Sequence, residues 1–124
     1  MIQNINELKL KIQHLNKDEQ DEIIEWVQPF FDFNDYMKTE YGKSYEEIEN
    51  ESAQFSEEVL PEYLAQLTDI REVNQESSLN FIVGISGKIY KRYAESYDYP
   101  DSDKVEKSLT KYLELLLKYQ INGK

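Results

Sequence analysis

The sequence predicts an all-α, single-domain protein of five to seven helices joined by short loops. Apolar residues recur at three- and four-residue spacings almost throughout, which places them on one face of a helix. Helix-opening pairs recur as well: Asn4 with Glu7, Asn16 with Glu19 and Ser44 with Glu47 each have the spacing of a capping box. A length of 124 residues leaves room for one core, and a chain of this size folds without staples.

The elements follow in order. Ile5, Leu8, Ile12 and Leu15 line a first helix behind Asn4. Asn16 opens a second, with Ile23, Val27 and Trp26 toward the core, and Pro29 ends or bends it because proline lacks an N–H. A third starts near Pro29, with Phe30, Phe33, Met37 and Tyr41 on one stripe. Asp32, Asp35, Tyr36, Thr39 and Glu40 share the opposite stripe, and Gly42 stops the helix. Ser44 opens a fourth that buries Tyr45, Ile48, Ser52 and Phe55 and exposes Glu46, Glu47, Glu49 and Glu51. Ser56 opens the next, with Leu60, Tyr63, Leu64, Leu67 and Ile70 inside and Pro61 in its opening turns. Residues 74–78 read as a polar loop.

Segment 79–97 admits two readings. As a helix it aligns Ile82, Ile85, Ile89 and Tyr93; as a hairpin it pairs 81–85 with 88–93 around Ser86-Gly87. Gly84 and Gly87 each cost a helix about 1 kcal/mol relative to alanine, yet they offer a flat face for a close neighbour. The helical neighbours and the long apolar stripe favour the helix. Tyr97 to Asp101 is a turn, and Asp101 caps a last helix with Val105, Leu109, Tyr112, Leu113 and Leu116 inside.

Composition restricts function more than motifs do. The chain has no cysteine, hence no disulfide, thiolate metal site or thiol nucleophile, which suits a reducing cytosol. The N-terminus lacks the basic start and apolar run of a signal peptide, and no segment reaches the ~20 apolar residues of a membrane span. The expectation is therefore a cytoplasmic protein with no membrane partner.

Charge is unevenly placed. Residues 1–76 hold 19 acidic against 6 basic side chains, net −13, while residues 77–124 are near neutral at +2. Asp18 to Glu62 alone contains 15 acids and 2 lysines. Such a face repels nucleic acid and anionic membranes and steers a basic partner toward it.

No constellation names a reaction. His14 is the single histidine, so a Ser-His-Asp arrangement has no support in the spacing. Glu19, Glu22 and Glu25 lack the histidines that helical di-iron sites require, and read as a solvated face. Asp32–Asp35 and Asp98–Asp103 lack the glycine and closing acid of a calcium loop. Gly84-Ile85-Ser86-Gly87-Lys88 lacks the glycine spacing of a phosphate loop. The expectation is a binding protein rather than an enzyme, with no metal and no cofactor.

The positive signal is acid interleaved with tyrosine, of which the chain holds ten. Tyrosine offers interface area at low rotamer cost, and carboxylates partner arginine and lysine. The candidate partner-binding residues are Asp32, Asp35, Tyr36, Glu40, Tyr41, Tyr45, Glu46, Glu47 and Glu49, with Tyr36 the best exposed anchor.

In overall character this short, cysteine-free, acidic, Tyr- and Glu-rich helical chain resembles the immunity proteins that bacteria make against nuclease toxins of the colicin and contact-dependent-inhibition kinds. The resemblance implies a cytoplasmic inhibitor of a basic toxin domain and assigns no residues. The alternative use of the same acid is a nucleic-acid mimic that inhibits a DNA-binding protein. A helical domain with some other binding role is the remaining reading.

Overall fold

The computed structural model describes the backbone of residue 2, residues 4–66 and residues 75–119, and their side chains except at 66 and 75–79. Six helices follow one another: α1 (Ile5–Lys11), α2 (Lys17–Tyr41), α3 (Tyr45–Ala53), α4 (Ser56–Gln66), α5 (Gln75–Ser96) and α6 (Ser102–Lys118). The described residues contain no strand, as the all-α expectation requires.

The helix starts obey local chemistry. Asn4 Oδ1 accepts from the Glu7 amide at 2.9 Å. Asn16 and Glu19 form a full capping box, as do Ser44 and Glu47. Gly42 closes α2 at φ 65°, a left-handed conformation that favours glycine. Asp101 precedes α6 without a side-chain cap bond, contrary to the expected capping role. Its carboxylate faces Lys104 at 3.9 Å instead.

α2 and α6 carry the core. Ile23, Val27, Phe30 and Phe31 of α2 meet Leu109, Tyr112 and Leu115 of α6, with Leu8 and Ile12 closing that end. Farther along α2, Phe33 and Met37 pack with Ile48, Tyr93, Ala94 and Val105. Each fully buried side chain of this kind contributes roughly 1.5–3 kcal/mol. α6 lies against both α2 and α5; α4 rests on α5, and α3 on α2 and α5.

Four local expectations are corrected. The helix begins at Gln75, so the expected polar loop over 75–78 is corrected to helix, while the favoured helical reading of 79–97 holds. Close packing decides it: a Cβ at Gly87 would lie 3.1 Å from the Glu106 carbonyl and 2.4 Å from Thr110 Oγ1, so glycine lets α6 approach. Ile82 lies outside that packing and is 56% exposed. On α4, Leu60 and Leu64 are exposed while Val59 is buried and Tyr63 stacks edge-on with Phe81 at 5.2 Å. The inner face is thus rotated from the one expected; Leu67 and Ile70 fall outside the described residues. Trp26 is 46% exposed, with Lys111 Nζ 5.2 Å from its ring centre.

The fourth correction is the largest. The segments on either side of Pro29 form one 25-residue helix. Ser108 of α6, itself buried, makes this possible. Its hydroxyl accepts from the Phe30 amide at 3.0 Å and donates to the Trp26 carbonyl at 2.8 Å. Those two backbone groups would bond directly in an uninterrupted helix. A hydroxyl inserted at the proline turn satisfies both and pins α2 to α6.

Ser108→Ala is expected to cost about 1–3 kcal/mol in urea unfolding, because it leaves buried polar groups without a partner. In a Pro29→Ala background the loss shrinks, since the helix closes its own bond there. Equal losses in both backgrounds would show that Ser108 acts independently of the proline.

Candidate partner-binding surface

The nine candidate residues fall into three groups. Asp32, Asp35 and Glu40 are exposed on α2, with half-buried Tyr36 between them and exposed Tyr41 at its end. At 100° per residue, Asp18, Glu22, Glu25, Asp32, Tyr36 and Glu40 project from one side of the helix. The row from Asp18 to Glu40 is about 33 Å long at 1.5 Å per residue. It exists because α2 is unbroken at Pro29.

The electrostatics of the row follow from where the bases point. All three bases of α5 are held inside the molecule. Arg92 forks onto Glu58 and Glu62 of α4, the latter at 2.7 Å. Lys88 pairs with Glu106 at 3.2 Å and Lys91 with Asp103 at 2.9 Å. Among the described residues none of the eight acids of α2 is within ion-pair distance of a base, although Asp32 accepts from Gln28 Nε2 at 2.7 Å. No close ion pair neutralises them, although Lys104 and Lys107 of α6 border the row at Glu25 and Pro29.

Tyrosines border the C-terminal end of the row. Tyr36 contacts Tyr99 with ring centres 5.0 Å apart and Tyr41 at 6.0 Å. Tyr41 meets Tyr97 at 4.8 Å, and Tyr97 meets Tyr93 at 5.4 Å. Tyr41 is 46% exposed, away from the core stripe expected for it, because α2 ends there and leaves it beyond the packed helices. The neighbouring Tyr41 hydroxyl, then desolvation, raises the Tyr36 pKa, so the Tyr36 hydroxyl stays protonated at neutral pH.

Glu46 and Glu47 form a second, local group in the first turn of α3. There their charge complements the helix dipole, and Glu47 Oε1 accepts from the Ser44 amide at 3.1 Å. The third group, Tyr45 and Glu49, is half-buried and lines an open groove of about 420 Å³ between α3 and α6. Desolvation, helped by the charge of Glu49, raises the Tyr45 pKa. Tyr45 also borders a smaller cavity of about 230 Å³ with Asp35, Lys38, Lys43 and buried Asn34. No side-chain nitrogen or oxygen of Asn34 has a hydrogen-bond partner among the described residues.

A polar centre forms on Glu51, a residue expected on the exposed face. One oxygen pairs with Lys43 Nζ at 2.5 Å, and the other accepts from Tyr93 at 2.8 Å and Tyr97 at 3.1 Å. The bond to Lys43, with those from the two tyrosines, holds the Glu51 carboxyl below its usual range against a smaller desolvation effect. Burial, then the bond to Glu51, raises Tyr93 and Tyr97. This centre ties the end of α2, α3 and the end of α5 together, and so fixes the tyrosines. Residues 42–46 positions apart meet here, which no local spacing reveals.

The chain matches no family model, and comparison with curated proteins and with solved structures gives no match either. Among the described residues no helix is long and apolar enough to cross a membrane.

Glu51 titrates in the ordinary carboxylate range when unfolded and below it when folded. Its stabilisation is therefore present above that range and is lost as pH falls through the folded value. Glu51→Gln is expected to lower Tm at pH 7, with the gap from the parent narrowing in thermal scans toward pH 3. A gap independent of pH would show that the charge of Glu51 contributes nothing.

Proposed function

We propose that the chain is an immunity- or antitoxin-type protein that binds and neutralises a basic protein, a nuclease toxin domain being the partner that fits best. The observation that carries this reading is the acid row of α2. Its carboxylates face solvent and, among the described residues, have no ion-pair partner, whereas the bases of α5 are paired within the molecule. A predominantly acidic helix face, about 33 Å long, accelerates encounter with an oppositely charged partner and disfavours anionic ones. The tyrosines at its end supply anchor area that charge alone does not. A nuclease domain is basic where it holds its substrate, so an acidic protein covering that face would block it.

The binding partner is sought by affinity capture from the source cell and native mass spectrometry, then by calorimetric titration. A 1:1 complex with one basic protein is expected, weakening as ionic strength rises. Reversing Asp32, Asp35 and Glu40 to Lys is expected to weaken it by roughly 100-fold, mostly through slower association. An unchanged affinity would remove the α2 face from the interface. Displacement by generic duplex DNA, together with binding to several unrelated DNA-binding proteins, would favour the nucleic-acid mimic instead.

A further inference from the structure

The groove between α3 and α6 is built differently from the acid row. Its walls are apolar: Phe30 from α2 and Leu109, Leu113 and Leu116 from α6. Three tyrosines, Tyr45, Tyr90 and Tyr112, and the single carboxylate of Glu49 also line it. Glu49 makes no ion pair among the described residues. Tyr112 is 6% exposed, and its hydroxyl makes no hydrogen bond among those residues.

Desolvation pushes the Tyr112 hydroxyl up to about 12. Tyr90 also rises to about 12, through desolvation, against a lowering by Ser52 and with a smaller contribution from the charge of Glu49. Both rings are therefore neutral at physiological pH, and Glu49 supplies the negative charge of the groove.

Apolar walls take an aliphatic stem, tyrosine faces attract a cation, and a carboxylate holds one. An anionic ligand would meet Glu49, and a purely apolar one would leave the Glu49 and Tyr112 polar atoms desolvated without a partner. We infer that this groove receives the side chain of a lysine or arginine from the bound protein, its stem along Leu109 and Leu113 and its cationic head between Glu49 and the tyrosines. The inference rests on the proposed reading of the chain as a binder of a basic protein and adds where that partner is gripped. Charge along α2 sets the approach; the groove holds one residue out of water and slows dissociation.

The full chain, with ¹³C-labelled tyrosine rings, is titrated with n-hexylammonium, hexan-1-ol and hexanoate in separate NMR experiments. Saturable shifts at Tyr45, Tyr90 and Tyr112 are expected with hexylammonium, at least about 5-fold tighter than with hexanol and tighter still than with hexanoate. Glu49→Gln is expected to bring hexylammonium to parity with hexanol while leaving the helical circular dichroism unchanged. Absence of saturable shifts at these rings, or equal binding of hexylammonium and hexanoate by the parent protein, would overturn the inference. With the captured partner, a dissociation rate indifferent to Glu49→Gln but an affinity sensitive to the α2 reversal overturns the groove and keeps the acid face. A groove that takes hexylammonium, beside a complex indifferent to the α2 reversal, keeps the groove and overturns the acid face.

Discussion

Proline 29 lies in the middle of the longest helix, where it withholds an N–H and crowds the preceding turn. Ser108 answers from the opposite helix, bridging the Trp26 carbonyl and the Phe30 amide. Without that bridge, the Trp26 carbonyl and the Phe30 amide would each lose Ser108 as a hydrogen-bond partner. With it, α2 stays one helix and is held in register against α6. Both core clusters depend on that register, because α2 contributes aromatic residues to each.

The acid row is a consequence of the same constraint. Acids before and after Pro29 share one side only if the turn count is preserved through the proline. Glu22 and Glu25 would otherwise point away from Asp32 and Glu40. The remaining charges are partitioned by packing. α5 sits between α4 and α6, and its Lys88, Lys91 and Arg92 reach acids on those two helices. Pairs of this kind, at half-exposed sites, add little stability. Their larger effect is to take the bases of α5 away from α2, so that a molecule of net charge −11 shows much of that charge on one helix.

What could be read from the sequence was whatever depends on neighbours in the chain. The caps at Asn4, Asn16 and Ser44, the stop at Gly42, and the stripes of α2 and α6 follow from spacings of three and four residues. The exposure of Asp32, Asp35 and Glu40 follows from the same spacing. What escaped depends on residues far apart. Pro29 read as an end or a bend because its remedy lies 78 residues away, measured from Phe30. Gly84 and Gly87 left a hairpin open until α6 was in place to make Gly87 a contact. Trp26 and Ile82 sit on apolar-looking stripes, but whether a stripe residue is covered depends on the width of the neighbouring helix, which periodicity does not encode. Glu51 looked like one more exposed acid because Tyr93 and Tyr97 are remote in sequence.

The acidic end of α2, at Asp35, and the groove are also linked through one side chain. Tyr45 borders the small cavity that holds Asp35 and Lys38, and it borders the groove that holds Glu49 and Tyr112. A protein docked along the end of α2 would therefore cover Asp35, cross Tyr45 and reach the groove without leaving the surface. Such a path combines two physical regimes. On α2 the carboxylates are exposed, so each interacts weakly with a partner charge but acts over a Debye length of about 8 Å at physiological salt. In the groove a single carboxylate acts at lower dielectric beside three rings, so its interaction is short-ranged and strong. On the proposed reading, speed of encounter and persistence of the complex would fall to different residues, with Tyr45 at the junction between them.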